Sequence, residues 1–278
     1  MYITREAEAT FGRLLAQYKA VLVTGPCQVG KSTMIGLCQG ETCGYVMLND
    51  PIALYRATRD PVLFFQDHPL SLVIDEVQYA PEPYCFLVAM AARTGQLLNM
   101  SDIANDADVD AKTVSRWLSL LEASGLVLRL QPYFPYASKR VSRTPKLHFM
   151  DTGLVAHLRG GLITPDALAR GAMAGALFES YVVGEIARSR MNAGRGVEGL
   201  HYYRDTRKRE IDLPIVEGRV VHPVEVKAGA NPGRDDIGSF LALNALKGVE
   251  VGDGAVVCRA PRVYAIGERV KAVPIWAL

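Results

Sequence analysis

Apolar and polar positions alternate along this chain with two different periods. Residues 4–18 place Ala9, Phe11, Leu14, Leu15 and Tyr18 at helical spacing among charged neighbours, which predicts a helix. Short apolar runs at 20–23, 44–48 and 71–74 read as buried strands, and helices are expected to start after each of the first two. Asn49-Asp50-Pro51 and Asp60-Pro61 are helix starts, an acid at the cap followed by proline in the first turn. Further on, 97–104 reads as a helix capped near Ser101, and 110–122 as a second helix burying positions 114, 117, 118 and 121. Gly125 ends that helix and 126–130 forms a strand. An amphipathic helix over 177–186 carries Glu179 and Glu185, and strands are expected at 200–204, 210–216 and 220–227. The turn Glu217-Gly218-Arg219 joins the last two as a hairpin.

The strand at 20–23 runs into Thr24-Gly25-Pro26-Cys27-Gln28-Val29-Gly30-Lys31-Ser32-Thr33 and then into a helix. Glycines at this spacing let successive backbone N–H groups converge on an anion at a helix N-terminus. Gly25, Pro26, Cys27, Gln28, Val29, Gly30, Lys31, Ser32 and Thr33 therefore form a candidate cradle for ATP. Lys31 would reach the β- and γ-phosphates and Ser32 would ligate Mg²⁺. The apolar run at 71–74 ends in Asp75-Glu76, 44 residues after Lys31. Such a strand looks like a Walker B motif, with Asp75 holding Mg²⁺ and Glu76 orienting and deprotonating the attacking water.

The segments GPCQVGKST, DPVLFF and LVIDEVQYAPE together resemble the prokaryotic AAA-type P-loop ATPases that carry a C-terminal domain of unknown function. Gln78 recurs in that family after the acids, whereas Cys27 stands where the family usually has arginine. After Pro81-Glu82-Pro83 the pattern breaks. The sensor strand, the completing arginine and the lid that the resemblance implies are missing, roughly 100 residues by the usual size of such a domain. In this class the sensor strand lies between the P-loop strand and the Walker B strand, so its loss leaves a gap of about 4.8 Å in the sheet. The two motif strands must then pair directly or another segment must fill the slot. The expectation is nucleotide binding that is weakened or lost, and impaired hydrolysis.

The helices at 97–104 and 110–122, followed by a strand, make a helix-turn-helix pattern with a wing. Lys112, Thr113, Ser115 and Arg116 are its candidate DNA contacts. A basic run, Lys139-Arg140-Val141-Ser142-Arg143-Thr144-Pro145-Lys146, follows Tyr133, Phe134 and Tyr136 and reads as a phosphate-contacting stretch, with Lys139, Arg140 and Arg143 as candidates. The competing reading is a solvated face on a packing module. PKLHFMDTGL and LLEASGLV again resemble the C-terminal region of the same family, over residues 86–258.

Asp212 on one hairpin arm and Glu225-Val226-Lys227 on the other resemble the PD-(D/E)xK core of restriction-endonuclease-like enzymes. Asp212 and Glu225 would converge on a divalent metal, and strand alternation puts Glu225 and Lys227 on one face. Lys227 would activate water or stabilise the phosphorane charge, and Glu179 or Glu185 would add a carboxylate. Arg204, Arg207, Lys208 and Arg209 would attract phosphate. Glu-x-Lys also arises by chance in hairpins with charged surfaces.

Composition sets bounds on this picture. The 278 residues suffice for about two domains of ordinary size, and 49% hydrophobic with 22% charged residues is the balance of a folded globular chain. A net charge of +2 leaves any nucleic-acid contact to local clusters. Five scattered cysteines without a C-x-x-C pair argue for reduced thiols and against zinc. The acidic N-terminus is not a secretory signal, and no apolar run is long enough for a membrane span. The combined expectation is a cytoplasmic α/β protein in three parts: a reduced AAA-type P-loop sheet over 1–84, a winged-helix-like middle over 85–160 and a restriction-endonuclease-like domain over 161–278. Its expected role is ATP and Mg²⁺ binding coupled to a nucleic-acid or protein partner. The alternatives are a metal-dependent DNA nuclease, or a non-enzymatic binding protein in which both sites are vestigial.

Overall fold

The computed structural model describes residues 6–17, 21, 23, 30–39, 43–59, 61–68, 72–76, 81–134, 144–160 and 164–278. By contact the chain divides into two units, one of Met1–Met90 with Asn99–Leu126, the other of Ala91–Leu98 with Val127–Leu278.

In the first unit α1 (Glu6–Gln17) precedes α2 (Lys31–Gln39), β1 (Gly44–Met47), α3 (Pro51–Arg59), α4 (Pro61–Gln66), β2 (Leu72–Asp75), α5 (Pro81–Ala91), α6 (Met100–Ala107) and α7 (Ala111–Ala123). Asp50 starts α3 as expected: its carboxylate accepts the Ala53 N–H at 3.1 Å, and Pro51 occupies the first helical position. β1 and β2 pair in parallel, Gly44 opposite Leu72 and Met47 opposite Asp75. Val46, Leu48, Ala53, Ala57 and Phe64 close a small core over them.

Two expectations are corrected here. Of the strand expected at 20–23, Val21 and Val23 are described and neither lies in a strand. The cap of α6 is Asn99, two residues before Ser101: its side-chain oxygen accepts from the backbone N–H groups of Ser101 and Asp102. α7 is close to the expectation, capped by Asp110 through the Thr113 N–H and followed by Gly125 at φ 66°; it buries Val114, Trp117 and Leu118 but leaves Leu121 half-buried. Trp117 packs edge-on against Phe86 at 5.1 Å.

The second unit contains β3 (Gln96–Leu97), β4 (Val127–Pro132), β5 (Lys146–Phe149), α8 (Thr152–Leu158), α9 (Pro165–Arg170), α10 (Ala174–Asn192), β6 (His201–Arg204), β7 (Glu210–Ile211), β8 (Ile215–Glu217), β9 (Val220–His222), β10 (Val224–Val226), β11 (Glu250–Val251), β12 (Gly254–Cys258), β13 (Tyr264–Ala265) and β14 (Val270–Pro274). A 3-10 segment, Arg234–Ala245, lies between β10 and β11. The largest sheet runs β3-β5-β4-β6-β7, with smaller sheets ordered β10-β12-β14-β13 and β11-β9-β8. The helix-turn-helix of α6 and α7 and the strand β4 that would follow it as a wing thus fall in different units.

The two long hairpin strands expected at 210–216 and 220–227 are each broken in two. Prolines are the cause. β8 and β9 pair with Ile215 opposite His222, and continuing that register sets Pro214 opposite Pro223, where neither residue has an N–H to donate. Pairing resumes beyond them, the Leu213 N–H donating to Val224 O at 2.9 Å, which carries Asp212 opposite Glu225.

Candidate functional site

At the N-terminal site, Gly30 has φ 75°, a backbone conformation strained for any residue with a Cβ, and from it the chain turns directly into α2. Lys31 and Ser32 open that helix. The Ser32 hydroxyl donates to Asp75 Oδ2 at 2.5 Å, joining two positions 43 residues apart. The Tyr45 hydroxyl donates to the same oxygen from β1, and the Glu76 N–H donates to Asp75 Oδ1 at 2.9 Å. Burial works to raise the Asp75 pKa, but the bonds from Ser32, Tyr45 and Glu76, with the charge of Lys31, hold it below the ordinary carboxylate range. Asp75 is thus an anion with a hydroxyl beside it, an oxygen pair that suits Mg²⁺. Glu76 sits at φ 58°, a left-handed conformation rare outside glycine. Gly25, Pro26, Cys27, Gln28 and Val29 lie outside the described residues, as does Gln78.

The C-terminal site begins with β5, buried along its whole length. Strand alternation puts Lys146 and His148 on one face and Leu147 and Phe149 on the other. Lys146 Nζ lies 2.7 Å from Glu179 Oε1 on α10, 2.5 Å from Glu210 Oε1 on β7 and 3.9 Å from Asp212 Oδ1. Asp212 Oδ2 accepts the Val226 N–H at 2.8 Å, and Lys227 Nζ donates to Glu225 Oε1 at 2.8 Å. Behind this cluster the Thr94 hydroxyl accepts the Phe149 N–H at 3.0 Å and shares a 2.8 Å hydrogen bond with the Ser180 hydroxyl. Ser180 Oγ in turn lies 3.1 Å from His148 Nδ1. His148 Nε2 is 3.8 Å from Glu179 Oε1. Neither His148 Nε2 nor Glu225 Oε2 has a hydrogen-bond partner among the described residues, and both are buried.

The charges here are out of balance, with more acids than cations in a buried volume. Burial, then Asp212, pushes Glu179 up to about 8 and Glu225 up to about 7, and burial also raises Asp212. Burial acts to lower the Lys146 pKa, but Glu179, Asp212 and Glu210 outweigh it and raise it. The 2.7 Å contact and the raised Glu179 are compatible, because one ammonium cannot neutralise three neighbouring carboxylates in a buried volume. Burial, then the charge of Lys146, holds His148 neutral, down to about 3.

Asp212, Glu225 and Lys227 are therefore brought together, and Glu179 joins them. Glu185 does not: it pairs with Arg188 along the helix. Lys146, read from sequence as the end of a phosphate-contacting run, is corrected to a buried partner of three acids, because β5 is hydrogen-bonded on both sides and carries it inward. Among the described residues no group of three or more His, Cys, Asp or Glu side chains is placed to hold a metal ion. Arg204 pairs with Glu210 at 3.4 Å and Arg209 with Asp205 at 2.7 Å, and Arg207, Lys208 and Arg209 are exposed. On α7, Lys112 and Ser115 are exposed, the Thr113 hydroxyl donates to Asp110, and Arg116 donates to Arg59 O at 3.4 Å. Lys139, Arg140 and Arg143 lie outside the described residues.

The sequence reading missed Tyr45, Thr94, Lys146, His148, Ser180 and Glu210. The available signal was K-x-H inside an otherwise apolar strand, polar groups at the two-residue spacing that shares a face.

Residues 17–100 match a family described as an AAA domain. Residues 74–162 match a domain of unknown function, DUF8612, and 174–278 match another, DUF4143. Uncharacterized proteins of Mycobacterium tuberculosis and Mycobacterium bovis are each 29% identical to this chain over 180 residues, 65% of it and 38% of their own length. The chain thus spans well under half of these curated relatives. No solved structure matches. The AAA domain suggests a P-loop protein that binds ATP, and the parallel pairing of β1 with β2 is consistent with it. No helix among the described residues is long and apolar enough to cross a membrane.

Proposed function

We propose that the N-terminal segment binds ATP with Mg²⁺, that hydrolysis there is impaired, and that nucleotide occupancy is coupled to a nucleic-acid or protein partner. One observation carries the binding reading: the 2.5 Å contact between Ser32 and Asp75, which sets a hydroxyl and an ionised carboxylate side by side at a helix N-terminus. Impaired hydrolysis is supported by the sequence after Pro83, where the sensor strand and lid implied by the resemblance find no counterpart. On this reading ATP is held by fewer groups than in a complete site, and Glu76 lacks the surroundings that would position water.

Titrating Mg·ATP while following thermal unfolding tests this. A ligand at 100 times its Kd stabilises by about 2.7 kcal/mol. That gain is expected in the parent protein and is expected to vanish in Lys31→Ala. No stabilisation at millimolar Mg·ATP would overturn binding. ATP turnover that falls in Glu76→Gln would overturn the impaired-hydrolysis half.

The second reading, a metal-dependent DNA nuclease, is favoured by the convergence of Asp212, Glu225 and Lys227. It requires Mg²⁺- or Mn²⁺-dependent nicking that is lost in Asp212→Ala.

A further inference from the structure

The acid cluster of the second unit does not fit a divalent metal as it stands, because a cation already occupies it. We propose that the Lys146 ammonium is the resident cation of Glu179, Glu210 and Asp212, beside the Asp212 and Glu225 pair on which the metal of an Asp…Glu-x-Lys enzyme would converge, and that it keeps divalent ions out of this acid cluster. This inference is independent of the nucleotide reading and bears on the nuclease alternative alone.

The geometry carries it. Lys146 Nζ is within hydrogen-bond distance of carboxylates from two elements, α10 and β7, and 3.9 Å from the Asp212 carboxylate. A divalent ion bound by the same oxygens would sit about 2.0 to 2.6 Å from them, within the volume the ammonium fills. Two cations do not share such a space. Nor can the lysine readily leave: it is 4% exposed, and β5 is hydrogen-bonded to β3 on one side and β4 on the other.

A second observation shows what the amine leaves unused. His148 Nε2, fully buried and 3.8 Å from Glu179 Oε1, has no hydrogen-bond partner among the described residues. Were the amine removed, carboxylate oxygens and one imidazole nitrogen would face the vacated space, donors of the kind Mn²⁺ takes, and side-chain shifts would be needed to gather them around the ion. Lys146 is thus a positioning residue that replaces an exchangeable ion with a covalently attached one. It ties β5, α10 and β7 together at any concentration of divalent metal.

The test is a Mn²⁺ titration followed by electron paramagnetic resonance, without nucleotide, on full-length Asp75→Asn protein so that the N-terminal site is silent. The expected result is no Mn²⁺ bound below the millimolar range. Adding Lys146→Met should create one site at least tenfold tighter, and adding Asp212→Asn should remove it again. If the Lys146→Met chain does not fold without metal, Mn²⁺ should restore its circular dichroism spectrum. The proposal is overturned if Asp75→Asn protein already binds one Mn²⁺ that Asp212→Asn abolishes. It is equally overturned if folded Lys146→Met protein gains no site. The first arm leaves Lys146 unchanged and can overturn the proposal even if the variant never folds.

Discussion

His148 is a fully buried, neutral imidazole beside an ammonium, and its proton affinity is therefore a stability term. Its pKa is held down to about 3, against about 6.5 in an unfolded chain. Between those values the unfolded chain binds a proton that the folded one refuses, so this residue makes stability rise with pH across the window, by about 1.4 kcal/mol per unit. Glu179 runs the other way. Raised to about 8 from an ordinary 4.5, it holds a proton when folded that the unfolded chain releases, so its contribution is full below about 4.5 and is lost as pH rises through 8. Urea unfolding at pH 5, 6 and 7 should show His148→Gln gaining on the parent protein as pH falls. Parallel profiles for the two would show that His148 does not titrate this way. The local residue pattern offered only the K-x-H spacing of Lys146 and His148 as a hint of this. Lys146 closes a stretch with three other cations among its eight positions, and what separates it from Lys139 or Arg143 is the two-sided pairing of the strand it opens. Asp212 and Glu225, in contrast, were legible, because strand alternation and a Gly turn define their meeting across a hairpin.

Helices were read more successfully than strands, and for a local reason. The 3.6-residue period, an acidic cap and a terminal glycine all lie within the segment they define, so α7 could be placed almost to the residue. Replacing Asp110 with Ala should destabilise the protein slightly, since the Thr113 N–H would lose its side-chain acceptor. The expected signature is a lower urea midpoint with unchanged slope; an unchanged midpoint would show that the cap contributes nothing. Strands draw their partners from far along the chain. β4 lies between β5, which follows it, and β6, which begins after three more helices, and nothing in residues 127–132 announces either neighbour. The breaks at Pro214 and Pro223 were available from the sequence, because two opposed residues without N–H groups cannot continue a ladder, yet an apolar run read alone conceals them.

At the scale of the molecule each unit carries one tryptophan, Trp117 buried in the first and Trp276 exposed in the second. On the proposed function, saturating Mg·ATP should raise the unfolding transition reported by Trp117 in a Trp276→Phe variant and leave that of Trp276 in Trp117→Phe where it was. A shift only at Trp276 would place the nucleotide elsewhere. The acid cluster has one more consequence. Lys146 and His148 lie in the segment matching one domain of unknown function, residues 74–162, whereas Glu179, Glu210, Asp212 and Glu225 lie in the segment matching the other, 174–278. Neither segment is a portable cassette. A chain that exchanged one segment without the other would strand buried acids without their ammonium, and is expected to fold less stably than either parent.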